Sequence, residues 1–155
     1  MRGKKAPKRI IKPDQKYGRE DVGKFINYIM HGGKKSTAQN IINDTFEIIS
    51  AKTKLDPLEV FETAIKNVAP TVEIRGRRVG GANYQIPVSV RSERSFTVGC
   101  RWILAAARAK KGKRMAEKLA EELISAFNNE GAAIKKKQDT YRMAEANRAF
   151  AHFSR

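Results

Sequence analysis

One stretch breaks the helical rhythm of this chain. Elsewhere, apolar residues recur three and four positions apart, as one face of an α-helix requires. Between Thr71 and Val90, in TVEIRGRRVGGANYQIPVSV, β-branched and polar residues alternate around a Gly-Gly pair. Period-two alternation flanking glycines predicts a β-hairpin. Two strands alone are marginal in water, so this hairpin must lie against helices or against a partner.

Glycine and proline divide the remainder into helical segments. A helix near 20–31 lines up Val22, Phe25, Ile26, Ile29 and Met30, and Gly32-Gly33 ends it. A second, about 35–52, turns Ala38, Ile41, Ile42, Thr45, Ile48 and Ile49 inward. Asp56-Pro57 supplies an N-cap and a first-turn proline for a third, which carries Val60, Phe61, Ala64, Ile65 and Val68 up to Pro70. A fourth, roughly 92–110, presents Phe96, Trp102, Ile103 and Ala106, and Gly112 breaks it. A fifth, about 113–128, presents Met115, Ala116, Leu119, Leu123, Ile124 and Phe127. The segment from Ala132 onward has a weaker stripe of Ile134, Tyr141, Ala144, Phe150 and Phe153, and is expected to lie partly outside the core. The chain therefore reads as mainly α, with a basic extended arm at 1–19 and a helical domain at 20–155 that includes the hairpin arm at 72–90.

Register decides what the hairpin presents, because cross-strand partners share a face. A two-residue turn at Gly80-Gly81 would pair Ile74 with Pro87 and set the apolar faces on opposite sides. A shift of one residue pairs Val72 with Val88, Ile74 with Ile86 and Gly76 with Tyr84. The expected connection is then the three residues Val79-Gly80-Gly81, one glycine taking a positive φ. One face becomes apolar at its base. The other carries Glu73, Arg75 and Arg77 opposite Pro87, Gln85 and Asn83, with Arg78 beside the turn.

Charge indicates what such a surface meets. The chain carries 32 Lys and Arg against 16 Asp and Glu, a formal charge of +16. Self-repulsion of this size opposes compaction, so a polyanionic partner is expected: nucleic acid first, an anionic membrane surface second. No apolar run approaches the ~18–20 residues needed to cross a bilayer, and no apolar stretch follows the basic start as a secretory signal requires. Cys100 is the sole cysteine and cannot form an internal disulfide. Candidate phosphate contacts are Arg2, Lys4, Lys5, Lys8 and Arg9 in the arm, Lys34 and Lys35, and Arg75, Arg77 and Arg78 in the hairpin. They continue through Arg94, Arg101, Arg108, Lys110, Lys111, Lys113, Arg114 and Lys118 around the junction of the fourth and fifth helices. Lys135, Lys136 and Lys137 form a further basic cluster.

Chemistry-bearing constellations are missing. GGKKST at 32–37 is not a phosphate-binding P-loop, because Lys35 separates Lys34 from Ser36 and Tyr28 stands where the upstream glycine belongs. His31 and His152 are far apart, and a single cysteine leaves no His/Cys metal set. Glu121 and Glu122 read as ordinary surface acids beside lysines, and Cys100 as a small core residue. Neither an enzyme nor a cofactor is expected. Aromatic residues fall on apolar faces, so phosphate contacts would supply affinity and RNA shape specificity.

Several segments, GKKSTA at 33–38, NVAPTVE at 67–73, RRVGGANYQIPV at 77–88, RWI at 101–103, AIKKK at 133–137 and RMAEANRAFAHF at 142–153, stand in order along nearly the whole chain. In these the chain resembles the family of bacterial-type small-subunit ribosomal protein seven. That resemblance implies a single bundle of about six helices with a β-hairpin protruding between the third and fourth. It also implies early binding of small-subunit ribosomal RNA and nucleation of the subunit head, through the basic arm, hairpin and helical surface. The hairpin tip, Arg78, Val79, Gly80 and Gly81, and the last helix, with Arg142, Met143, Asn147 and Arg148, are implied to lie near the messenger exit path and exit-site transfer RNA. Ribosomal proteins nine and eleven are implied neighbours, no membrane is involved, and some members repress their own operon. The implied location is the cytoplasmic ribosome, an organellar one being the variant. A stand-alone RNA chaperone or RNA-processing accessory module is the alternative. The chain departs from the family pattern at Tyr141, usually histidine, at Gly76, usually larger, and in ending at Arg155 without a C-terminal extension.

Overall fold

The computed structural model describes residue 3, residue 6 and residues 12–154. Arg2, Lys4, Lys5, Lys8 and Arg9 lie outside the described residues, as do the side chains of Val79 and Phe153. The chain divides into two compact units, residues 1–40 and 41–155.

In the first unit a turn precedes the first helix. Asp14 nucleates it: its Oδ2 accepts the N–H groups of Lys16 at 3.0 Å and Tyr17 at 3.2 Å. Helix α1 (Glu20–Ile29) follows, burying Val22, Phe25, Ile26 and Ile29 as its period predicts. Its first turn holds Glu20 and Asp21 at the positive end of the helix dipole. Helix α2 (Lys35–Thr53) starts directly after Lys34 and runs on into the second unit.

The second unit continues with α3 (Pro57–Val68), β1 (Val72–Val79), β2 (Ala82–Ser89), α4 (Ser92–Ala109), α5 (Met115–Phe127), α6 (Ala132–Ala146) and a closing 3-10 helix, Arg148–Ser154. Six helices with one antiparallel hairpin between the third and fourth match the expected fold. The Asp56 cap forms as expected, its Oδ1 accepting Leu58 N–H at 3.0 Å ahead of Pro57 at the helix start. Val60, Phe61, Ala64, Ile65 and Val68 are all buried. Phe46, absent from the sequence-predicted face of α2, is 1% exposed and meets the Phe61 ring at 5.8 Å between centroids.

The inward face of α4 is rotated from its prediction. Val98, Cys100, Ile103, Leu104 and Ala107 are buried, whereas Phe96, Trp102 and Ala106 are half-buried. Helix α4 touches α3, α5 and α6. Three neighbours bury an arc broader than one stripe, and its centre follows the neighbours rather than the largest side chains. Cys100 is a core residue, as expected. Helix α6 buries only Ala133, Ile134 and Thr140, in keeping with its weak stripe.

Polar ties close the helix ends. Asn67 donates its Nδ2 to the carbonyls of Ala126 and Phe127 at 3.0 Å each, satisfying the end of α5. Lys137 donates to the carbonyl of Asn67 at 2.7 Å near the end of α3, where the helix dipole favours a cation.

Candidate nucleic-acid interface

The hairpin adopts the register that the sequence reading set aside. Val72 pairs with Ser89, Ile74 with Pro87, Arg75 with Ile86, Arg77 with Tyr84 and Val79 with Ala82, so the turn is Gly80-Gly81 alone. Both glycines sit at positive φ, 58° and 89°. A two-residue turn with two left-handed residues twists in the same sense as the strands it joins. That local fit outweighs the alignment of apolar faces on which the three-residue expectation rested.

The correction changes what each face carries. Glu73, Arg75 and Arg77 share a face with Val88, Ile86 and Tyr84, not with Pro87, Gln85 and Asn83. This face docks: Ile86 is 1% exposed, and Tyr84 meets the Phe150 ring of the closing 3-10 helix at 5.1 Å. A carboxylate is buried with it. Glu73 is 8% exposed, accepts Arg75 Nε at 2.6 Å and pairs with Arg94 at 3.2 Å. Burial pushes its pKa up, but hydrogen bonds from Arg75 and Arg94, together with their charges, hold the carboxyl below its ordinary value. Arg75 and Arg94 therefore have a structural task as well as positive charge. Toward the tip, residues 75–78 and 80–83 are exposed, and Arg78 stands on the opposite face with Asn83.

Three contacts fix the hairpin's root. Ser95 Oγ donates to the carbonyl of Pro70 at 2.7 Å. Val90 N–H donates to the carbonyl of Thr71 at 2.9 Å. The Tyr141 hydroxyl accepts Thr71 N–H at 2.9 Å and also bonds Thr71 Oγ1 at 2.9 Å. Tyrosine at 141 thus ties α6 to the first residue before β1.

The α4–α5 junction separates its cations into two groups. Lys110 Nζ lies 2.9 Å from Glu122 Oε2 and 4.0 Å from Glu121. Lys113 is hydrogen-bonded to Glu121, which raises the pKa of the ammonium and lowers that of the carboxyl. Arg101, Lys111, Arg114 and Lys118 make no ion pair among the described residues, and the first three are exposed. Arg108 is exposed as well. Glu122 itself corrects the surface-acid reading: it is 1% exposed, and its Oε1 accepts Ala133 N–H at 3.0 Å. Its place among Leu119, Leu123 and Ala126 on the apolar face of α5 was the available signal.

The last helix is largely solvent-facing. Arg142 lies 3.9 Å from Asp139 and Arg148 3.4 Å from Glu145, both exposed pairs of the weak kind. Met143 is 42% exposed, and Asn147 donates to its carbonyl at 2.8 Å. In the first unit, Lys34 and Lys35 are exposed at the start of α2.

A mainly helical fold, an arginine-bearing hairpin and unpaired cations constrain the class of protein, and comparison decides the family. The model of the family described as ribosomal protein S7p/S5e matches residues 1–148. The chain belongs to this family. It is 58% identical over 153 residues to the small ribosomal subunit protein uS7 of Thermotoga maritima, covering 99% of each chain. The corresponding protein of Moorella thermoacetica is 58% identical over 149 residues, 96% of each. That of Afipia carboxidovorans is 55% identical over 148 residues, 96% of this chain and 95% of the relative. S7p/S5e proteins are structural parts of the ribosome, not enzymes, and the ribosome is where this chain belongs. Among the described residues, no helix is long and apolar enough to cross a membrane.

Proposed function

We propose that this S7p/S5e chain binds small-subunit ribosomal RNA directly and nucleates assembly of the subunit head. The carrying observation is that Arg101, Lys111, Arg114 and Lys118 have no acidic partner among the described residues, in a chain of charge +16. Leaving such charge uncompensated opposes compaction and favours phosphate. The hairpin arginines 75, 77 and 78, with Arg94 and Arg108, are proposed as further contacts of the second unit, and Lys34, Lys35 and the arm residues Arg2, Lys4, Lys5, Lys8 and Arg9 as contacts of the first. Lys110 and Lys113 contribute less, being held by Glu122 and Glu121. The arm at 1–19 and the helical domain at 20–155 divide the work: the arm supplies charge, the domain supplies shape.

The tip at Arg78–Gly81 and the last helix, with Arg142, Met143, Asn147 and Arg148, are proposed to face exit-site transfer RNA and the messenger exit path. Their support is the exposure of Arg78, Gly80 and Gly81 beyond the docked base of the hairpin, of Arg142 and Met143 on α6, and of Arg148 just after it. Ribosomal proteins nine and eleven are the proposed protein neighbours. Repression of its own operon would use the same RNA-binding surface on messenger.

Salt dependence of binding tests the core of this reading. Affinity for small-subunit ribosomal RNA should fall linearly on a log–log plot. Arg101→Ala and Lys111→Ala should each flatten the slope by about 0.7–0.9 if each contacts one phosphate, while Lys110→Ala should leave it nearly unchanged. In lysates the chain should sediment with small subunits almost stoichiometrically; a mostly free pool would favour the stand-alone chaperone instead.

A further inference from the structure

Five residues, Lys110 to Arg114, join α4 to α5, and four of them are cationic. Like charges so close together repel. Gly112, at φ 81° with open space around it, adds no restraint. Two acids on α5 supply the restraint instead. The oxygens of Glu121 divide between the two sides of Gly112: Oε1 accepts from Lys113 Nζ, and Oε2 stands 4.0 Å from Lys110 Nζ. Glu122 holds Lys110 as well, at 2.9 Å. Lys110 and Lys113 are thereby drawn against α5. Lys111 and Arg114 are exposed and make no ion pair among the described residues.

We infer that Glu121 is a positioning residue for RNA binding: it strengthens binding although its own charge opposes phosphate. The inference rests on the RNA-binding reading above and deepens it. Charge alone assigns Glu121 the opposite effect, since a carboxylate in a cationic patch repels phosphate and neutralises Lys113. Nor is the fold the beneficiary. The side chains of Glu121 and Lys113 are 30% and 52% accessible, and ion pairs so exposed add little stability. What the carboxylate supplies is order. A loop tied on both sides of its glycine is held in one shape before RNA arrives, and so loses less freedom on binding. Lys110 and Lys113 serve as the ties, and Lys111 and Arg114 remain available for phosphate.

Affinity of the full chain for small-subunit ribosomal RNA, measured over a range of salt, separates order from charge. Glu121→Ala should weaken binding about two- to fivefold. Its log–log slope should not change, because the number of phosphates contacted stays the same. Glu121→Gln keeps an acceptor for Lys113 and should lose less. Glu117 lies one turn earlier on α5 and makes no ion pair among the described residues. Glu117→Ala therefore removes the same charge without untying the loop, and should hold or raise affinity. Lys113→Ala should weaken binding as Glu121→Ala does, again without a change of slope, and the double variant should bind no worse than the weaker single. The Tm of each Glu121 variant should stay within about 4 °C of the parent; a larger fall would assign Glu121 to the fold and overturn the inference. Tighter binding by Glu121→Ala, with a slope steeper by about 0.7–0.9, overturns it too, because the carboxylate then only masks Lys113. So does Glu117→Ala behaving as Glu121→Ala does. If the parent chain does not bind this RNA at all, the RNA-binding reading falls, and the inference with it.

Discussion

Replacing Glu122 by alanine should destabilise the second unit measurably, although glutamate is a charged residue. The carboxylate is 1% exposed and serves two partners: Ala133 N–H at the start of α6, 3.0 Å from Oε1, and Lys110 Nζ, 2.9 Å from Oε2. Gly131, at φ 95°, permits the tight chain reversal between α5 and α6; a Cβ there would stand 3.0 Å from Oε1. Alanine at 122 strands the amide of Ala133, a residue 1% exposed, at about 1–3 kcal/mol. The Lys110 side chain is 32% exposed and can rehydrate, so the lost ion pair adds only about 0–1 kcal/mol. Together these give about 1–4 kcal/mol, or about 2–16 °C in Tm for a chain of this size. Glu122→Gln keeps an acceptor for the amide and should lose about 1 kcal/mol or less. Thermal and urea unfolding followed by circular dichroism measure both. A Glu122→Ala variant within about 0.5 kcal/mol of the parent refutes the reasoning. So does a glutamine variant as unstable as the alanine one, because charge rather than the amide bond would then dominate.

Three further outcomes are expected. Tyr141→Phe removes the hydroxyl bonded twice to Thr71; hydrogen exchange at the hairpin root should quicken about 2–10-fold, as loss of about 0.5–1.5 kcal/mol implies, and unchanged protection would show that Ser95 and Ile86 suffice. The depressed carboxyl of Glu73 makes stability pH-dependent in a defined sense: its contribution is complete above the unfolded glutamate value of about 4.3 and is lost as pH falls through the lower folded value. Unfolding between pH 5 and pH 2 should therefore be less steep in Glu73→Gln, and parallel curves would sink the claim. Deleting Val79–Ala82 removes the turn, whose Gly80, Gly81 and Ala82 are exposed, and should leave Trp102 near-ultraviolet dichroism intact while weakening exit-site transfer RNA binding in reconstituted subunits; global unfolding would show instead that the turn is part of the core.

Much of this protein is legible along the chain. The spacing of Val60, Phe61, Ala64, Ile65 and Val68 defines α3 and its buried face, and Asp56-Pro57 defines its start, because cap chemistry and helical period act over one or two turns. The segments shared with ribosomal proteins of this family identify it for the same reason, since they are strings of neighbours. The basic clusters are likewise visible as composition. Which of their cations are available is not: Lys110 and Lys111 are adjacent in sequence, yet only Lys110 meets the buried Glu122. That difference arises when α5 brings its carboxylate to the α4–α5 junction and to the start of α6.

The hairpin divides along the same boundary. Alternation from Val72 to Val90 and the Gly-Gly pair determine that two strands meet and that the outer end carries arginines. Apolar matching alone favours a three-residue connection, whereas the folded chain closes on two left-handed glycines and shifts every partner by one. Glu73 and Arg75 thereby move to the docked face, where Arg94 from α4 completes their ion pairs. Local sequence sets period, caps and charge because these depend on near neighbours. The Gly80-Gly81 turn sets register locally as well, but burial of a carboxylate and the freedom of a lysine depend on groups some ten to twenty residues away or more, and only the tertiary structure decides them.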